Sequence, residues 1–138
     1  MIRKASRFLS IFGSMLLLLS ACGATGPTTA TLSDTAITLS RSTASAGKVT
    51  FTITNNTASS LKHEFVVVQT DLAADQLPKN AEGLIDEEKL TSFGEQGDIE
   101  PGKTVDLIVD LHPGRYMMIC NLPGHYNAGM HAEFNVSS

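Results

Sequence analysis

The chain has 138 residues, 42% of them hydrophobic and 17% charged, which suits one folded domain and excludes a disordered acidic tail or a polytopic membrane protein. Its formal charge is −4, and because Arg3, Lys4 and Arg7 are the only charges before residue 22, the remainder sets seven cations against fourteen acids. So acidic a body does not wrap nucleic acid by counterion release. At the start of the chain, Met1 to Arg7 holds those three cations and no acid. The apolar run Phe8 to Ser20 follows, too short for a helix that crosses a bilayer core of ~30 Å. This is the pattern of a secretory signal.

Leu19-Ser20-Ala21-Cys22 resembles the lipobox of bacterial lipoproteins. The resemblance implies cleavage after Ala21 and diacylation of the Cys22 thiol. Acyl burial at ~0.8 kcal/mol per CH₂ makes two chains a persistent membrane anchor where one is not. Gly23 to Ser33 (GATGPTTATLS) is small, polar and uncharged, and is expected to be a flexible tether. The expected layout is a signal peptide over 1–21, a lipidated N-terminus and tether over 22–33, and one domain over 34–138.

From residue 34 the pattern is that of strands. Ala36 to Leu39 begins an alternation, and Val49, Phe51 and Ile53 repeat it with threonines between them. Phe65-Val66-Val67-Val68 is apolar on both faces, as in a strand covered on both sides. Val105, Leu107, Val109 and Leu111 alternate after the turn Pro101-Gly102, Tyr116 to Cys120 follow Pro113-Gly114, and Met130, Ala132, Phe134 and Val136 share one face of a last strand. Between Asp71 and Gly97 the alternation breaks, and Asp86-Glu87-Glu88-Lys89 reads as the capped start of a short helix. The expected fold is all-β, an antiparallel sandwich with a short helical excursion.

The chemistry-bearing residues gather in the last quarter. With Cys22 acylated, Cys120 is the only remaining thiol, so no intrachain disulfide can form in an oxidising compartment. Cys120, His125 and Met130 are spaced C-x₄-H-x₄-M, with Pro123-Gly124 turning the chain between them. A thiolate, an imidazole and a thioether are the soft and borderline donors that copper prefers. A second imidazole is needed, and three other histidines compete for the place. His112 lies in a turn separated from Cys120 by a strand, and alternation points His131 away from the face of Met130. His63 opens the valine-rich strand and is the favoured donor.

Tyr116, Cys120, Pro123, Gly124, His125, Gly129 and Met130 together spell Y-x₃-C-x₂-P-G-H-x₃-G-M. Over residues 34–138 the chain resembles the cupredoxin family of small blue copper proteins, including its plastocyanin-like, azurin-like, auracyanin and sulfocyanin types. The resemblance implies a Greek-key β-sandwich and one type 1 copper that cycles between Cu(I) and Cu(II). It further implies His63, Cys120 and His125 as trigonal ligands and Met130 as a weak axial one. Many relatives carry Asn after the first histidine, where it ties the ligand loops together; here the residue is Glu64. The expected function is single-electron transfer at the outer surface of a bacterial membrane, in the periplasm or facing the exterior. Redox proteins would dock near His125, whose turn carries the apolar rim Leu122, Pro123 and Tyr126. A monomer is expected, without nucleic acid and without enzymatic activity. The alternative is a copper carrier or buffer that delivers the ion to a membrane oxidase; the chain lacks the Met- and His-rich tracts common in such proteins.

Overall fold

Residues 26–138 are described by a computed structural model. The expected signal peptide and the lipidation at Cys22 lie outside the described residues, among which no helix is long and apolar enough to cross a membrane. Among the described residues, nine strands form two packed sheets. In chain order they are β1 (Thr28–Ser33), β2 (Ala36–Leu39), β3 (Thr43–Ser45), β4 (Gly47–Asn55), β5 (His63–Gln69), β6 (Thr91–Ile99), β7 (Thr104–Leu111), β8 (Gly114–Ile119) and β9 (His131–Ser137). One sheet has the order β2-β1-β4-β7 and the other β3-β9-β8-β5-β6.

The period-two pattern buries what it should. Val49, Phe51 and Ile53 of β4 face Phe65 and Val67 of β5, Tyr116 and Met118 of β8, and Phe134 of β9 in the core between the sheets. Phe51 is central, with ring centroids 5.3 Å from both Phe65 and Phe134. Alternate residues of the same two strands, Val66 and Val68 with Met117 and Ile119, point the other way. They form a second cluster with Leu77, Ile85 and Tyr126. The continuous apolar run Phe65 to Val68 is thus buried on both faces.

Three expectations need correction. The tether does not extend to Ser33: residues 28–33 are β1, with Thr28, Ala30 and Leu32 fully buried. Small side chains and a single large apolar residue hid a period-two strand in a segment that reads as linker. The sandwich is also not purely antiparallel, since β1 pairs in parallel with β4 and β3 with β9. These pairings join strands whose connections pass through other strands, as parallel neighbours require. Finally, the expected short helix after Asp86 is a single 3-10 turn, Glu87–Lys89, joined in the excursion by a second, Ala74–Gln76, and its cap differs. Asp86 makes no side-chain cap and pairs instead with Lys89 Nζ at 2.7 Å. The end of the supposed break, from Thr91, is β6, an edge strand whose glycines and polar residues conceal its alternation; only Ile99 of it is fully buried.

Candidate metal centre

Three strands deliver donor side chains to one end of the sandwich. His63 is the first residue of β5, Cys120 follows the last residue of β8, and Met130 precedes β9. Because β5 and β8 are antiparallel, with Val66 opposite Ile119, the start of one lies beside the end of the other. The segment ahead of His63 is pinned by buried Asn55, whose Nδ2 donates to the carbonyls of Leu61 at 3.0 Å and Ile99 at 2.8 Å. The β8–β9 ladder continues past the strand end, since Cys120 N–H donates to Met130 O at 3.1 Å. Residues 121–129 therefore form a closed loop between two of the expected ligands.

That loop is coiled by its own backbone bonds: His125 N–H donates to Leu122 O at 3.0 Å and Met130 N–H to His125 O at 3.1 Å. Gly124, with φ of +85°, completes the turn begun by Pro123. Gly129 has a second reason to be glycine. Its φ is +110°, and a Cβ there would lie 2.7 Å from the carbonyl oxygen of Thr35, so the loop rests directly on the β1–β2 turn.

The result is a tight donor group. His63 Nδ1 and His125 Nδ1 are 3.1 Å apart, and Cys120 Sγ is 3.4 Å from His125 Nδ1. Ligand atoms of His63, Cys120 and His125 all lie within 4.8 Å of one another. Three electron-rich atoms held face to face need a proton or a cation among them. The separation of the two nitrogens suits a shared metal ion at the ~2.0–2.1 Å that imidazole adopts on zinc, a neighbouring first-row metal. His63 and Cys120 are fully buried and His125 is half-buried, with Pro123 and Gly124 exposed beside it. Met130 is fully buried in the same core cluster as Cys120. The structure does not bring the competing histidines here: the His112 ring packs near Phe93 with centroids 6.2 Å apart, and His131 lies against Tyr126 at 5.0 Å.

Electrostatics favour uncharged donors in the metal-free protein. Burial, and then the neighbouring His125, lower the pKa of His63, while Asp34 opposes them. Burial raises that of the Cys120 thiol, opposed by the backbone N–H groups of Glu64 and Leu122. A bound cation reverses this logic by stabilising the thiolate.

Glu64, the departure from the family pattern, proves to connect the ligand segments. Its backbone N–H donates to Cys120 Sγ at 3.4 Å, and its Oε1 accepts the Asn121 N–H at 2.6 Å. Burial raises its carboxyl pKa, opposed by the Asn121 N–H. The acid thus spans the gap that Asn spans in many relatives. Asn121, unnoticed in the sequence, extends the connection outward. Its Oδ1 accepts the Ile85 N–H at 2.7 Å, and its Nδ2 donates to Ile85 O at 2.9 Å and Glu87 Oε1 at 2.8 Å. Its position directly after the cysteine was the one available signal.

Comparisons with known proteins agree with this construction. The sequence profile of the sulfocyanin (SoxE) domain matches residues 43–138. No curated protein sequence matches the chain. Among solved structures, the chain is similar to reduced auracyanin of the photosynthetic bacterium Roseiflexus castenholzii, with 18% identity over 80% of this chain and 95% of that one and a TM-score of 0.60. It is also similar to an azurin of Methylomonas sp. strain J, with 16% identity, 83% and 100% coverage and a TM-score of 0.56. Auracyanin A, a blue copper protein of Chloroflexus aurantiacus, shares 22% identity over 81% and 100%, with a TM-score of 0.53. At these identities the likeness is one of fold, the cupredoxin β-sandwich. The profile match spans most of the chain and includes the whole donor group, so the chain belongs to the sulfocyanin (SoxE) domain family of cupredoxins, blue copper proteins that bind one type 1 copper ion.

Proposed function

We propose that the protein carries single electrons between redox partners outside the cytoplasm, with His63, Cys120 and His125 holding one copper ion and Met130 as its weak axial donor. The observation that carries this reading is the convergence of two Nδ1 atoms and one thiol at the end of a rigid sandwich. Copper in such a site supplies a one-electron couple, soft sulfur suiting Cu(I) and imidazole suiting Cu(II). The protein's part is to hold the donors still. His63 and Cys120 are anchored to strands, and the ligand loop is closed by ladder and turn bonds, so little has to move when an electron arrives or leaves. Buried His63 and Cys120 keep water from the sulfur. Half-buried His125 offers an imidazole edge to a partner, in a turn where Leu122 and Pro123 supply an apolar rim. Weak redox encounters of this kind bury less than ~1,200 Å².

In this reading Cys22 is lipidated and holds the domain at a bacterial membrane. Five residues separate it from β1, an extended reach of ~17 Å. β1 enters the sheet level with Phe51, midway along β4, and runs toward the donor end. Full burial of His63, Cys120 and Met130 favours retention of the ion over its delivery.

Adding Cu(II) to the mature protein should produce an intense thiolate-to-copper absorption in the visible range that is lost in Cys120→Ser. A folded wild-type protein that stays colourless overturns the reading. Repeated electrochemical cycling with copper retained supports a carrier, whereas transfer of the ion to an apo-acceptor supports delivery.

A further inference from the structure

Among the described residues, His63 Nε2 is the buried side-chain polar atom left without a hydrogen-bond partner. The other nitrogen of that ring, Nδ1, faces Cys120 and His125 and must offer its lone pair to bind a metal. The ring proton then belongs on Nε2, where a buried N–H needs an acceptor. Asp34 Oδ1 stands 4.0 Å from Nε2. The same oxygen accepts the hydroxyls of Thr57 and Ser59, that of Ser59 at 2.8 Å. Asp34 occupies the β1–β2 turn, whose next residue, Thr35, supports the ligand loop under Gly129. This turn precedes residue 43, where the family match begins.

We propose that Asp34 is a positioning residue for the metal centre: its carboxylate receives the Nε2–H of His63, fixes Nδ1 as the donor atom, and makes the imidazole a stronger donor to Cu(II). The inference rests on the copper reading above. The 4.0 Å gap exceeds a hydrogen bond by about an ångström. Asp34 is 40% exposed in a two-residue turn, which leaves its carboxylate room to close that gap. Ligating histidines commonly give their second ring N–H to a carboxylate or carbonyl, which sets tautomer and basicity together. A carboxylate adds a negative charge that a carbonyl lacks, and negative charge near the site favours Cu(II) over Cu(I).

The test is Asp34→Asn in the full chain, in detergent, loaded with copper. Asparagine keeps a carbonyl oxygen for the Thr57 and Ser59 hydroxyls, so it removes the charge while sparing the turn. Cu(II) affinity should fall about tenfold with Cu(I) affinity nearly unchanged, within the range seen when such outer partners are lost. That ratio corresponds to a rise of about 59 mV in reduction potential. Asp34→Glu should recover most of it. A folded Asp34→Asn protein with the parental potential and Cu(II) affinity overturns the proposal, because a purely structural role predicts that result. Should the variant not fold, NMR of the wild-type protein loaded with Zn(II) decides: an Nε2 proton of His63 strongly deshielded by a carboxylate acceptor supports the proposal, and an Nε2 proton with the shift of an imidazole N–H that has no such acceptor overturns it. Failure of the copper reading is recognised separately, as a colourless wild-type protein before any variant is made, and it overturns this inference with it.

Discussion

The two faces of the β5–β8 pair solve the same burial problem in different ways. Inward, Phe65, Val67, Tyr116 and Met118 meet a second sheet, and strand ladders satisfy the backbone on both sides. Outward, Val66, Val68, Met117 and Ile119 are covered by irregular chain carrying Leu77, Ile85 and Tyr126. There the polar groups of the cover are met by turn bonds within the backbone, such as Asp86 N–H to Pro78 O at 2.8 Å, and by side chains. Asn80 Oδ1 accepts the N–H groups of Glu82 at 3.1 Å and Leu84 at 3.0 Å, and Tyr126 Oη donates to Ala74 O at 2.6 Å. Both faces end at the ligand loop. Cys120 and Met130 belong to the inner cluster and Tyr126 to the outer one, so His125 is carried on a loop gripped from two sides. The excursion between β5 and β6 is therefore structural cover that steadies the metal centre.

Truncating each face measures how far this parallel holds. Phe51→Ala should cost ~3–5 kcal/mol in urea unfolding of the metal-free protein, being fully buried between two other rings. Ile85→Ala, at 2% exposure on the outer side, should cost ~2–5 kcal/mol, nearer the lower figure because an irregular cover can collapse into the space. A loss below ~0.5 kcal/mol, the scale of ordinary surface changes, would show that the outer cluster does not behave as a core. Asn121→Ala tests the join between the two regions. It strands the Ile85 N–H and C=O, for ~1–3 kcal/mol, and should also shift the visible copper band by loosening the loop. An unchanged band with the stability loss intact would mean that the excursion does not steer the site.

The smallest effect is a titration, because each face holds one of the chain's two tyrosines. Burial raises the pKa of Tyr116, opposed by its bond to His112 O, and burial with Asp75 nearby pushes Tyr126 up to about 12. A folded-state pKa above the unfolded value of ~10 means that the stabilisation is complete below that pH and is lost as pH rises through the folded value. Ultraviolet titration should show neither phenol ionising at ~10 while the protein remains folded. Early ionisation of Tyr126 alone would mark the outer face as open to water.

Strand identity was legible wherever large apolar residues alternate or run together, as in β4, β5, β7, β8 and β9. It was hidden in β1, where Thr28 and Ala30 pass for linker, and in β6, an edge strand with little to bury. The donor types and the C-x₄-H-x₄-M spacing were present in the chain, because a loop of that length between two ladder ends is a local matter. His63 could be argued from the sequence only by weighing it against the other histidines, since it lies 57 positions before Cys120. What surrounds the donors was settled only in three dimensions: Glu64 on Asn121, Asn121 on Ile85, Thr35 beneath Gly129, and Asp34 facing His63. Periodicity reports which face a residue takes within its own strand. It carries no information about which distant turn is pressed against that face, because this depends on sheet order and register, and these emerge only when all the strands are packed together.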